Sequence, residues 1–205
     1  STPEKAQRYL SCDEPLPNPF TMTDMDLAVG RVRLALSRKE KIAVFGDYDV
    51  DGITATCIVV DYLHRRGADC LHYIPRRIED GYGLSCEAIQ ALREQGASLM
   101  ITVDCGVTNH EEVKLAQMLG MTVIVTDHHQ LADTPSPADV VLNPLIGDYP
   151  FRRLCGAGVA LKLTQALLGM EAVMRRIDLA ALATVADIVP LTSENRVIVS
   201  LGLKK

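Results

Sequence analysis

No run of apolar residues in this 205-residue sequence reaches the ~18 positions that a membrane-spanning helix requires, and no secretory leader pattern is present, so neither a membrane span nor export is expected. The six cysteines (Cys12, Cys57, Cys70, Cys86, Cys105, Cys155) include no CxxC pair and no regular spacing. Most lie in apolar runs, where cysteine behaves as a small hydrophobe. That argues against disulfides and a zinc cluster and for a reducing, cytoplasmic setting. Tryptophan is absent, and aromatics make up only 4% of the chain. An excess of positive charge is missing too: the net charge is −5, so nucleic-acid contacts must come from local basic patches or from parts outside this chain. Neither a GxxxxGK(S/T) loop nor a GxGxxG fingerprint follows the first predicted strand, which removes two common phosphate cradles. What is present, 48% apolar and 23% charged residues, describes one globular domain able to bury a core. The first residue is Ser and the last five are LGLKK, which reads as a piece of something longer.

The most informative stretch is KIAVFGDYDVDG, residues 41–52. An apolar run breaks at Gly46 and delivers Asp47, Asp49 and Asp51, followed by Gly52 and a helical pattern. In an extended chain alternate side chains share a face, so the three carboxylates point one way if strand geometry persists. At ~4 Å two like charges repel by roughly 4 kcal/mol at an effective dielectric near 20. A divalent cation with a preference for oxygen ligands offsets that repulsion. Taken alone, the stretch is equally well read as a solvated acidic turn.

Residues 1–22 carry four prolines and are expected to form a short helix and an extended arm. A helix then starts at Thr23 or Asp24, with Met25, Leu27, Ala28, Val32, Leu34 and Leu36 on its inner face. Predicted strands cover 41–45, 71–75, 98–104, 121–127 and 138–142. Predicted helices cover 53–66, 85–95, 109–119, 158–168 and 171–185, with a further one over 196–203. Strands apolar throughout, alternating with helices, mean an α/β fold with a parallel sheet of five or more strands and helices on both faces.

Ligands of open α/β sheets bind beyond the carboxyl ends of the strands. Here three such ends carry Asp47/Asp49/Asp51, Asp104, and Asp127-His128-His129. One Asp after a strand is ordinarily a turn former or helix cap; three acidic ends, one with paired histidines, are not explained that way. A mixed histidine and carboxylate set without thiolates suits Mn²⁺ or Mg²⁺ better than zinc. Two such ions are suited to stabilising the attacking and leaving oxygens of a phosphoryl displacement.

GDYDVDG, the strand-final Asp104, VTDHH and ATVADIVPL together resemble the four motifs of the DHH phosphoesterase family. IPRRIEDGYGL (74–84) and CGAGVALKL (155–163) resemble its single-strand-specific exonuclease branch. The resemblance runs from about residue 22 to the end and implies a catalytic domain over 23–205, with further substrate-binding and oligonucleotide-binding domains outside this chain. It implies that Asp49, Asp51, Asp104, His128 and Asp187 bind two Mn²⁺ or Mg²⁺ ions, with Asp104 bridging them. It further implies that His129 contacts the scissile phosphate and that Asp127 orients a ligand histidine. Asp187 enters only through the resemblance; by itself VADIVPL reads as a helix end before Pro190. Smaller relatives place a histidine where this chain has Phe45, and Asp47 is the candidate replacement.

The implied activity is 5′-to-3′ hydrolysis of single-stranded DNA to 5′-mononucleotides in DNA repair and recombination. The partners it implies are single-stranded DNA, a single-strand-binding protein and a helicase. Arg77 matches the branch's phosphate-binding arginine and Arg76 adjoins it, while Gly156 and Gly158 open a helix whose amides suit either a phosphate or tight packing. The alternatives are an oligonucleotide or cyclic-dinucleotide phosphodiesterase of the same family, a non-catalytic nucleic-acid-binding scaffold, and a receiver-like domain phosphorylated on Asp104. The doubled histidine and third carboxylate have no role in a receiver.

Overall fold

Five short apolar segments become strands: β1 (Lys41–Phe45), β2 (Cys70–Tyr73), β3 (Ala97–Val103), β4 (Thr122–Thr126) and β5 (Val140–Leu142). All neighbours pair in parallel, in the order β2-β1-β3-β4-β5. The computed structural model describes residues 2, 10–12, 14–76 and 83–205. Its helices are α1 (Met25–Arg38), α2 (Val50–Arg65), α3 (Cys86–Glu94), α4 (His110–Met118), α5 (Gly156–Leu168), α6 (Met170–Ala186) and α7 (Ser193–Gly202).

Alternation along each strand sends side chains to opposite faces of the sheet. Ile42, Val44, Leu99, Ile101 and Ile124 pack into the larger core, shared with α1, α2, α5, α6 and α7. Ala43, Phe45, Met100, Val123 and Val125 face a smaller core closed by α3 and α4. Both faces are covered, which is why the strands are apolar at almost every position. The expectation of a five-stranded parallel sheet with helices on both faces is met.

Local differences have physical reasons. The second helix begins at Val50 instead of residue 53, because Asp49 caps it by accepting from Gly52 N–H at 2.9 Å. In α1 the buried stripe is Met25, Ala28, Val29, Val32 and Ala35, while Leu27 and Leu34, expected inside, face solvent. They lie one heptad apart on the opposite side of the helix. The end of the expected arm is packed: Met22 and Pro19 are buried, and Leu16 lies against the larger core. A kink at Arg176 (φ −131°, ψ 17°) divides α6.

The register decides where the site falls. Phe45 lies beside Thr102 and Val103 beside Thr126, so β1, β3 and β4 end level. From β1 the chain crosses to β2 on one side, and β3 then returns on the other. The crevice between β1 and β3 is the reversal point at which open parallel sheets bind their ligands.

Candidate metal centre

The loop after β1 is drawn tightly onto α2. A Cβ at Gly46 would overlap Thr56 Oγ1, and one at Gly52 would lie 2.6 Å from the backbone and Cβ of Asp47. Only glycine permits either approach. The expectation that three carboxylates alternate along an extended segment is corrected here: the strand stops at Phe45, Asp49 is the N-cap, and Asp51 lies in the first helical turn. Asp47 is buried with its Oδ1 lacking a hydrogen-bond partner.

β3 ends in a left-handed turn, with Asp104 at φ 61° and Gly106 at φ 107°. Thr102 Oγ1 donates to Cys105 O at 2.7 Å, and Thr126 Oγ1 donates to Thr102 O at 2.7 Å, tying this turn to β4. Asp127 then closes the neighbouring loop. Its Oδ2 accepts from Val107 N–H at 3.0 Å, and its Oδ1 accepts from the main chain of His128 at 2.7 Å and of His129 at 3.0 Å. The His129 ring Nδ1 stands 2.7 Å from the same oxygen. Asp127 was expected to orient a ligand histidine; its carboxylate instead grips the ring of His129 and only the backbone of His128. Asn143, fully buried, donates to His129 O at 3.0 Å and fixes this loop from behind.

His128 is the hub. Its Nε2 lies 3.1 Å from Asp104 Oδ1, 3.6 Å from Asp51 Oδ2 and 3.8 Å from Asp187 Oδ2. Three overlapping groups have donor atoms within 4.8 Å of one another: Asp47/Asp49/Asp104, Asp51/His128/Asp187 and Asp104/His128/His129. Asp104 belongs to two of them. Asp187, the residue that caps the carboxyl end of α6, arrives from a fourth region of the chain.

Burial, followed by the charges of Asp51 and Asp49, pushes the Asp104 carboxyl up to about 10. Burial also raises Asp47 and Asp187. Asp127 behaves differently: burial works against its charge, but the hydrogen bond and charge of His129 and two backbone amides hold it below the usual carboxylate range. The bond to Asp127 in turn raises His129 against burial. Among the described residues, the ion pairs at this edge involve histidine alone. Clustered carboxylates, with buried Asp47 Oδ1 and Asp104 Oδ1 left without hydrogen bonds, fit hard divalent cations. Burial pushes the thiols of Cys105 and Cys155 up, and no cysteine belongs to any of the three groups.

The other expected site residues separate. Gly156 N–H donates to Asp51 Oδ2 at 2.6 Å and Ala157 N–H to Asp51 Oδ1 at 2.7 Å. The helix end whose amides suited either a phosphate or tight packing therefore holds one of the chain's own carboxylates. The Gly158 amide faces the sulfur of Cys155. Arg76 is exposed just beyond β2, and Arg77 lies outside the described residues. Arg65 and Arg176 both pair with Asp61, and Arg175 pairs with Glu171. Thr102, Thr126, Asn143 and Ala157 drew no attention as single residues.

Fold and site together define a parallel α/β domain with an acid-and-histidine centre at the carboxyl ends of β1, β3 and β4. Residues 41–188 match the DHH family, N-terminal domain, and the chain belongs to that family. It is 42% identical to the single-stranded-DNA-specific exonuclease RecJ of Bacillus subtilis, over all of this chain and 26% of that protein. It is 44% identical to RecJ of Thermus thermophilus, over 83% of this chain and 26% of the relative. A crystal structure of exonuclease RecJ bound to manganese superposes with a TM-score of 0.84 at 39% identity, covering 93% of this chain and 49% of that one. The chain thus spans about a quarter of the length of these curated relatives. Among the described residues no helix is long and apolar enough to cross a membrane.

Proposed function

We propose that this chain is the catalytic domain of a metal-dependent exonuclease that hydrolyses single-stranded DNA from its 5′ end to 5′-mononucleotides in DNA repair and recombination. One observation carries the reading: Asp47/Asp49, Asp104, His128 and Asp187, from four distant places, fall into overlapping groups, within each of which the donor atoms lie within 4.8 Å of one another. The names and metal-bound structures of the relatives support the same substrate and the same ions, Mn²⁺ or Mg²⁺.

Two divalent ions, when bound, supply positive charge for the phosphoryl oxygens and acidify water. Asp47, Asp49, Asp51, Asp104, His128 and Asp187 would hold them. His129, pinned at Nδ1 by Asp127, presents its Nε2 to a phosphate oxygen, and its raised pKa favours the charged donor. Asp127 acts on the ring of His129 as its orienting partner. Arg76 and Arg77 are the candidate contacts for phosphates beyond the scissile one. Cysteines without a CxxC pair or regular spacing suit a cytoplasmic protein. A single-strand-binding protein and a helicase are its expected partners.

The test is hydrolysis of 5′-labelled oligonucleotides of increasing length, with Mn²⁺ and with EDTA. Mn²⁺-dependent release of mononucleotides from single strands, slow for so short a part of the relatives' length, is the expected result. Efficient cleavage of dinucleotides with long strands untouched would favour the short-oligonucleotide reading. Binding without turnover would favour the scaffold.

A further inference from the structure

Gly156 touches two of the proposed ligands at once. Its amide, with that of Ala157, grips the Asp51 carboxylate across 105 positions of sequence. Its Cα faces Asp104, where an added Cβ would lie 2.5 Å from Asp104 Cβ and 2.6 Å from Cγ. Atoms do not approach so closely, so position 156 has room for a hydrogen and nothing larger. Asp51 and Asp104 are also the two carboxylates nearest His128 Nε2, at 3.6 Å and 3.1 Å. The helix that carries Gly156 is anchored in the larger core, where Ala157, Val159, Ala160 and Leu161 are fully buried, so it has little freedom to retreat.

We propose that Gly156 is a positioning residue for the metal centre: its amide seats Asp51 and its bare Cα lets Asp104 close in beside it. The proposal deepens the two-cation reading of the site and rests on it. Side chains that orient metal ligands typically contribute about 10–100-fold to metal affinity. A backbone position that sets two ligands together belongs in the same range.

The experiment measures Mn²⁺ affinity by isothermal titration and by the electron paramagnetic resonance signal of free Mn²⁺. Gly156→Ala is expected to bind Mn²⁺ at least about 10-fold more weakly than the wild-type chain. Far-ultraviolet circular dichroism in EDTA is expected to stay native. Gly30→Ala, on α1 where an added Cβ meets nothing within 4 Å, is the control and keeps wild-type affinity. Should Gly156→Ala fail to fold, the wild-type chain still decides the matter. The amide resonances of Gly156 and Ala157 are expected to shift with Mg²⁺ at the midpoint of metal occupancy. Wild-type affinity in Gly156→Ala, or amides unmoved at Mg²⁺ saturation, would overturn the proposal. A wild-type chain that binds no Mn²⁺ overturns the two-cation reading itself, and the role of Gly156 with it.

Discussion

Buried charge occurs in two places in this fold, and the two are resolved in opposite ways. Beneath α5 and α7, Lys162 and Glu194 are fully buried with Nζ and Oε1 2.9 Å apart. Tyr149 donates to Glu194 Oε2 at 2.8 Å, and Lys162 donates to Pro17 O at 2.5 Å. Burial lowers the lysine and raises the glutamate, and each counters the shift of the other. At the carboxyl edge of the sheet, six aspartates share two histidines. In the first cluster one lysine matches one glutamate, whereas in the second the aspartates outnumber the histidines. Depth in the protein is thus no guide to role; the balance of charge is.

The largest break in this comparison is expected at Asp104. Asp104→Asn should lower Mn²⁺-dependent hydrolysis by about 10³-fold or more, as removal of a member of a cooperating set does. It should also abolish the rise in melting temperature on adding Mn²⁺, while stability in EDTA near neutral pH is retained. A variant that still responds to Mn²⁺ would remove Asp104 from the ligand set.

On the other side, Glu194→Ala leaves an unpaired buried lysine and should cost about 3–5 kcal/mol in urea unfolding. The double variant Lys162→Met, Glu194→Leu should recover part of that loss, the remaining deficit of about 1–3 kcal/mol reflecting the buried Tyr149 hydroxyl left without its acceptor. A double variant as unstable as the single would show that the pair contributes more than mutual neutralisation.

Titration sharpens the contrast. The Asp104 carboxyl stands at about 10 in the fold, far above its unfolded value. Between those values the metal-free native state holds a proton that the unfolded chain has released. This contribution is complete below the unfolded pKa, near 4, and is lost as pH rises toward the folded pKa. Burial of Asp47 and Asp187 works in the same direction. The unfolding free energy in EDTA should therefore fall from about pH 5 to about pH 8, by at most about 1.4 kcal/mol per pH unit for one proton, and the melting temperature with it. Saturating Mn²⁺ should suppress the fall and release protons, measured as buffer-dependent binding heat. A flat EDTA profile would refute this assignment.

The smallest effect concerns strain, which lies on the metal side. Ile188, next to Asp187, is 88% exposed yet sits at φ 57°, unfavourable for a β-branched residue. Ile188→Gly should relieve about 1–2 kcal/mol of strain against roughly 0.5–1 kcal/mol of added chain entropy. The net gain, up to about 1 kcal/mol, is measurable by urea unfolding. A loss of stability would mean that the isoleucine makes contacts that outweigh its backbone.

Much of the edge was legible beforehand because the sheet obeys local chemistry. An apolar run that stops at a glycine and continues in aspartates reads alone as a solvated turn just as well, but three acidic strand ends, one with paired histidines, do not. β1, β3 and β4 fall close to where their sequences place them. The inner face of α1 was misjudged at Leu27 and Leu34, since their hydrophobicity says nothing about the direction in which the helix meets its neighbours. Asp187 was found only through family likeness. Nothing in VADIVPL distinguishes a helix-capping aspartate from a ligand until α6 is docked beside His128.

The sequence by itself determined the order of strands and helices, the acidic strand ends and the type of ion they suit. Each of these follows from short stretches whose periodicity and donor chemistry are local. Tertiary structure alone decided that Asp127 serves His129, that Gly156 holds Asp51 against Asp104, and that Lys162 meets Glu194. The last two join residues far apart in the chain, and the first depends on how the loop after β4 is held by Val107 and Asn143, so none of these distances exists until the helices have packed onto the sheet.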